Sequence, residues 1–343
     1  PWRKEYRARG PEYAQTKGGI DLERVAFFVM AVATLGSTLF GAAAGAYFGN
    51  GFASFLAEDI VRQPHKEALQ LAIIGHLHIM LTLIAVAAAL LVGRWFDFKG
   101  PLHRLAMPLM IVGTIIVTLG VWLVVPYEEI AHYIIYAGSI PILLAALFLV
   151  IYGWRKLIAE RLAAQGIEKA SLGQKLAALV HDPLRFGALW QMVYMNFVTT
   201  FVGLFMAIRL DKLIRTWEAR EERIILTGHW HILSAIIATI LLLYYADMAG
   251  LKGRARLWFG WLVIVASNVA FFGATLFATK RIYVRESAQQ PLVDISLLLT
   301  DAGLALVLVG LALFLLWRLI DLFRAEGLWA REAAESSGQE GRP

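Results

Sequence analysis

Residues 69–93, LQLAIIGHLHIMLTLIAVAAALLVG, run for 25 positions without an Asp, Glu, Lys or Arg. An α-helix rises 1.5 Å per residue, so this run is about 37 Å long, enough to cross a hydrocarbon layer of about 30 Å. It predicts a membrane-spanning helix, and it carries two histidines near one end. Further apolar blocks bounded by charge lie near 25–49, 105–126, 131–153, 186–208, 224–246, 256–278 and 295–320. The expected fold class is therefore an all-α polytopic membrane protein with about eight transmembrane helices. Composition agrees, with 59% hydrophobic and 17% charged residues among 343, which disfavours a soluble multidomain enzyme.

The stretch Gly75-His76-Leu77-His78-Ile79 recurs as Gly228-His229-Trp230-His231-Ile232. The loops that follow, around Asp97–Gly100 and Leu251–Gly253, correspond as well. Two parallel four-helix repeats in tandem are expected, related by an axis along the membrane normal. The predicted organisation is an N-terminal segment 1–24, a first repeat 25–153, a linker 154–185, a second repeat 186–320 and a polar tail 321–343. Of the 32 Lys and Arg, 22 fall on the side of the termini in this scheme. Retention of positive charge on the inner side then puts both termini in the cytoplasm, with a prokaryotic inner membrane as the expected location. The segment with Leu210, Leu213, Ile214 and Trp217 reads as an interfacial amphipathic helix. The net charge of +6 belongs to these topology signals, so no nucleic-acid partner is expected.

There is no cysteine, which excludes thiolate metal sites, cysteine-ligated iron–sulfur clusters and thioether-attached haem and leaves histidine and carboxylate as metal ligands. Neutral imidazoles from two facing helices can hold haem iron from both sides. Residues two apart on a helix point about 200° from each other, so one histidine of each pair would face a given cofactor. The candidate ligands are His76 or His78 with His229 or His231, holding one or two haem b groups. Nearby small residues, Ala85, Ala87, Ala88 and Ala89 with Ala235 and Ala238, would accommodate a macrocycle, and the glycine before each pair would let something flat approach. Interhelical hydrogen bonding or proton relay is the alternative role for the histidines. His132 is a further axial-ligand or quinol-bonding candidate. Glu128, Glu129 and Asp301 are candidate proton-transfer groups, with Asn196 and Asn268 as other polar residues inside spans.

The stretch Gly75-His76-Leu77-His78-Ile79-Met80, followed by alanine-rich sequence and Gly93-Arg94, resembles the histidine-bearing second helix of haem–copper oxidase and nitric-oxide-reductase-like membrane subunits. The resemblance covers one span and its duplicate, without that family's HPEVY-type metal motif, and implies haem at His76 or His78. Heme A synthase is similar in architecture, with His76, His132 and His229 falling on even-numbered helices; the eighth span here has no histidine. The expected function is a b-type cytochrome subunit of a respiratory or photosynthetic complex, non-catalytic or co-catalytic, exchanging electrons with quinol near the outer face. Expected partners are membrane lipid and other subunits, such as a c-type cytochrome or iron–sulfur protein. A transporter or scaffold with a histidine-lined path, and a haem-modifying enzyme, are the competing readings.

Overall fold

A computed structural model describes residues 68–209, 213, 214, 217 and 219–323. The expected first span, 25–49, and the tail beyond Phe323 lie outside the described residues. The described residues are mostly helical, with no strand among them. Seven helical segments among the described residues are long and apolar enough to cross a membrane, so the chain is an integral membrane protein in contact with lipid. They are α1 (Ala68–Trp95), α2 (Pro101–Leu123), α3 (Glu128–Ala164), a composite span, α7 (Ala219–Met248), α8 (Gly253–Tyr283) and α9 (Gln290–Phe323). The composite span consists of α5 (Pro183–Val193), a π-helical turn (Tyr194–Thr199) and α6 (Thr200–Arg209). The chain divides into two compact units, residues 1–52 with 305–343, and residues 53–304. The second contains all the features below.

α3 is longer than its apolar run predicts. Residues 154–164 were expected in the linker, but they are helix formers with a Lys156–Glu160 pair one turn apart at 3.7 Å, and they extend the helix to Ala164. Gly166, at φ +66°, ends it. There the Ile167 N–H bonds Leu162 O and the Gly166 N–H bonds Ala163 O, the double bond of a Schellman motif. The rest of the expected linker forms α4 (Leu172–Leu179), opened by a capping box between Ser171 and Gln174. Ile214 and Trp217, expected on an interfacial helix, are instead buried and pack with Met206 and Ile225.

The turns after α1 and α7 are built alike. Asp97 and Gly250 both have positive φ, 51° and 76°, as do Gly100 and Gly253, 85° and 60°. Phe98 N–H bonds Gly93 O, and 153 residues later Leu251 N–H bonds Ala246 O. The helix contacts that follow recur too. A Cβ on Gly138 would lie 2.6 Å from Val117 N, and one on Gly303 would lie 2.6 Å from Ala270 N. Gly120 meets Ile135 N at 2.9 Å as Gly273 meets Thr300 N at 2.8 Å. Glycine thus lets α2 and α3, and likewise α8 and α9, approach backbone to backbone. Because the opposing atoms are main chain, Gly138→Ala and Gly303→Ala are each expected to destabilise by about 1–3 kcal/mol, read as a lower midpoint in thermal unfolding of the detergent-solubilised protein.

α1 and α7 run side by side. Trp230 and His78 meet edge to face at 5.2 Å between ring centroids, and Trp95 and Tyr244 at 5.3 Å. At the turn end of this pair, Trp95 Nε1–H donates to Asp247 Oδ2 at 2.6 Å. Arg256 on α8 joins Asp247 to Asp182, the N-cap of α5, donating to Asp182 Oδ1 and Oδ2 at 3.0 and 2.8 Å and also to Asp247 Oδ1. The guanidinium ties α8 to α5 and α7, and the Trp95–Asp247 bond adds α1.

Candidate functional site

Away from that turn end, α1, α2, α3, the composite span and α7 enclose a cavity of about 410 Å³, within the range of small-molecule sites, about 300–1,000 Å³. Its lining follows α3 from Glu128 to Ala146, about 27 Å of helix at 1.5 Å per residue. The polar groups collect toward the Glu128 end. Four of them, Glu128, His132, Tyr136 and Ser139, share one stripe of α3, because spacings of three and four residues fall on one helix face. His132 and Tyr136 are stacked, with ring planes 16° apart. The other end is closed by Ala85, Val86, Ala89, Met110, Leu143 and Ala146, all apolar.

Three predicted site histidines line this one cavity: His78 from α1, His132 from α3 and His229 from α7. His231 does not; its ring is exposed and bonded to Thr227 O of its own helix at 2.7 Å. The His76 side chain lies outside the described residues. Glu128 lines the cavity while Glu129 is exposed, so of the two proton-transfer candidates on that turn only the first reaches it. Asp301 is exposed on α9. Among the alanines expected to leave room, Ala85 and Ala89 do so, whereas Ala87, Ala235 and Ala238 face outward and Ala88 is buried elsewhere.

Of the glycines preceding the histidine pairs, Gly75 lines the cavity and Gly228 does not. A Cβ on Gly75 would meet Val121 Cγ1 at 3.3 Å, and one on Gly228 would meet Ala278 Cβ at 2.7 Å; both serve helix packing. The glycine that receives an imidazole is Gly203 on α6, where a Cβ would sit 2.9 Å from His229 Cε1 and 3.0 Å from its Nε2. Gly203 is delivered by the π-helical turn, whose wider winding is stabilised by Thr199 and Thr200 hydroxyls donating to Tyr194 O and Met195 O, five residues back. Asn196, within the same turn, is buried and donates to Met192 O at 2.7 Å. It lines the cavity with Thr199 and Thr200, whereas Asn268 accepts from Trp190 at 3.0 Å and stands apart.

The two facing imidazoles differ in what holds them. Trp230 Nε1–H donates to His78 Nε2 at 3.4 Å, a long contact. His229 Nδ1 is buried with no hydrogen-bond partner among the described residues. Beside it a second cavity of about 10 Å³, room for one water molecule, is lined by His229 and by the hydroxyl-bearing Tyr194, Thr275 and Thr279. Tyr194 and Thr275 bond each other at 3.3 Å. Imidazole nitrogens and the Glu128 carboxylate are the metal-ligating groups on the cavity lining, and no group of three or more His, Asp or Glu able to hold a bare metal ion occurs among the described residues.

No protein-family model matches this chain, and comparison with curated proteins and with solved structures finds no match.

Proposed function

We propose that this chain is a membrane-embedded electron-transfer subunit that holds b-type haem in the cavity between α1 and α7, with His78 and His229 as axial ligands. The observation that carries the reading is the convergence of these two imidazoles, from different helices, on one largely apolar cavity of ligand size. A polar side chain inside a membrane is costly and marks a site by default. What supports the group is a pair of imidazoles from different helices, His78 and His229, on one lining, with Gly203, Ala85 and Ala89 keeping the walls thin. Haem, when bound, would supply one-electron carriage. The protein residues fix the rest: Gly203 seats the His229 ring, Trp230 sets the edge of His78, and the apolar floor excludes water. The likeness of residues 75–80 to the histidine-bearing helix of haem–copper oxidase-like subunits supports the same choice.

The matching turns, 153 residues apart, and the matching helix contacts, 153 residues apart on α2 and α8 and 165 on α3 and α9, support two parallel four-helix repeats as the frame of the site. With both termini in the cytoplasm of a prokaryotic cell, the Glu128 end of the cavity faces outward. Glu128 and His132 then stand where a quinol could enter, and a c-type cytochrome or iron–sulfur protein would be the electron partner.

The test is a dithionite-reduced minus air-oxidised spectrum of the purified protein with a pyridine haemochrome assay. A sharp b-type band is expected. Gly203→Ala is expected to lower haem retained through purification by tenfold or more, because its Cβ occupies the place of the His229 ring, while far-ultraviolet circular dichroism stays unchanged.

One observation favours a second reading: no lysine or arginine among the described residues lines the cavity, so none of them pairs with haem propionates. An uncharged amphiphile with a polar head, such as a quinol, matches the polar Glu128 end and apolar floor without that need. A colourless protein that yields quinone on solvent extraction would establish it. Colourless protein with pH- or metal-dependent flux in liposomes would point to a transporter, and a chemically altered haem product to a haem-modifying enzyme.

A further inference from the structure

The second, smaller cavity brings together the His229 ring from α7, Tyr194 of the π-helical turn, and Thr275 and Thr279, one turn apart on α8. Apart from Thr199 the rest of its lining is apolar. Each hydroxyl has a single hydrogen to give, and all of them are committed. Thr275 Oγ1 donates to Phe271 O at 2.7 Å, Thr279 Oγ1 to Thr275 O at 2.6 Å and Thr199 Oγ1 to Tyr194 O at 3.3 Å. With its own hydrogen spent, Thr275 Oγ1 can only accept in its 3.3 Å contact with Tyr194, so the tyrosine hydrogen is spent there. Among the described residues, every hydroxyl on this lining therefore keeps lone pairs and has no hydrogen left.

The His229 ring stands between the two cavities and lines both. Its Cε1–Nε2 edge is the one against Gly203, 2.9 and 3.0 Å from where a Cβ would sit, whereas Nδ1 is 3.9 Å from that point. Nδ1 is buried with no hydrogen-bond partner among the described residues. A polar nitrogen buried within a membrane span costs free energy unless it is bonded. Hydroxyl oxygens that can only accept, beside a ring nitrogen with no partner, surround a volume of about 10 Å³. The small molecule that matches them donates two hydrogens and accepts one, which is water.

We propose that the second cavity is a binding site for one structural water, which accepts from His229 Nδ1–H and donates to the hydroxyl oxygens of Tyr194 and Thr279. Because the hydroxyls supply no hydrogen, the water spends both of its own on them and turns a lone pair to the ring. Nδ1 then carries the ring proton and Nε2 is proton-free, the form in which imidazole ligates a metal. Tyr194 and Thr279 do not line the first cavity. They are positioning residues, acting on it through the water and the His229 ring. The consequence for iron ligation rests on the haem reading of the first cavity; the water and the tautomer do not.

The test is nitrogen-15 solid-state NMR of the full chain in lipid bilayers, with histidine labelled and the His229 signals identified by their absence from His229→Gln. In the haem-free protein a protonated Nδ1, a proton-free Nε2 and magnetisation transfer from water to Nδ1–H are expected. Tyr194→Phe combined with Thr279→Val removes both acceptors at nearly constant volume, and should lower the ratio of the Nδ1–H to the Nε2–H tautomer by tenfold or more. Thr279→Ser keeps the oxygen and should keep the ratio. In haem-loaded protein, Thr279→Val should raise the midpoint potential relative to Thr279→Ser, because a ring N–H that loses its acceptor makes a less basic ligand. An Nε2–H tautomer in the unmodified protein, or no transfer from water to Nδ1–H, overturns the proposal whether or not the variants fold. A protein that takes up no haem but shows the expected tautomer and water transfer overturns the haem reading alone, and haem bound without water transfer overturns the water site alone.

Discussion

His229→Ala is expected to come through purification without the haem of the first cavity. The substitution removes one of the two imidazoles proposed as ligands and would leave the iron with a single protein ligand in a largely apolar cavity whose other donors, His132 and Glu128, lie on α3. His78→Ala should have the same effect from the facing helix. Neither change opens the fold, since His78 is exposed to the cavity side and His229 packs against a glycine. Imidazole added at millimolar concentration should enter the space left by His229→Ala and restore a six-coordinate spectrum. Retention of the full b-type band by both alanine variants would sink the assignment, whereas His132→Ala retaining it would place that residue outside the iron's coordination and at the quinol end.

Arg256→Met is expected to cost on the order of 3 kcal/mol, the largest stability loss predicted for a single side chain here. The guanidinium is the shared partner of Asp182 and Asp247, and all three are mostly shielded, with side-chain exposures of 20%, 12% and 27%. Removing it leaves two carboxylates facing each other, one of them also held by Trp95. Because these residues come from α5, α7, α8 and α1, the loss should appear as a lower midpoint of cooperative unfolding rather than local fraying. Adding Asp182→Asn and Asp247→Asn to Arg256→Met should recover part of the loss, since the residual penalty is repulsion and desolvation of the acids. Additive destabilisation by the three changes would show that the groups act separately.

The apolar runs made the seven described spans legible, because length without charge is a strong signal and needs no knowledge of packing. Their ends were less so: α3 continues through Trp154-Arg155-Lys156, where polar residues of good helix propensity carry a helix past its apolar stretch. The histidine pairs stood out by repetition, yet rotation about the helix axis decides which member meets the cavity, and an HxH pattern is silent on rotation. Gly203 looked ordinary in sequence, since only its neighbour in space, 26 positions away, gives it meaning. The Trp95–Asp247 bond joins residues 152 apart; the offset of the repeat could have suggested that these helices sit in register, but not that an indole would meet a carboxylate.

The π-helical turn at Tyr194–Thr199 has a consequence for length. It holds one residue more than an α-helical path between the same ends, so deleting a single residue such as Phe197 would let the segment relax to ordinary winding. Everything after it would then keep its place around the axis, because the π turn is where the extra residue is absorbed, and Gly203 would stay against the His229 ring. The notch for the imidazole thus tolerates a span one residue shorter at this turn, whereas the same deletion without that relaxation would rotate Gly203 by about 100° and lose the seat.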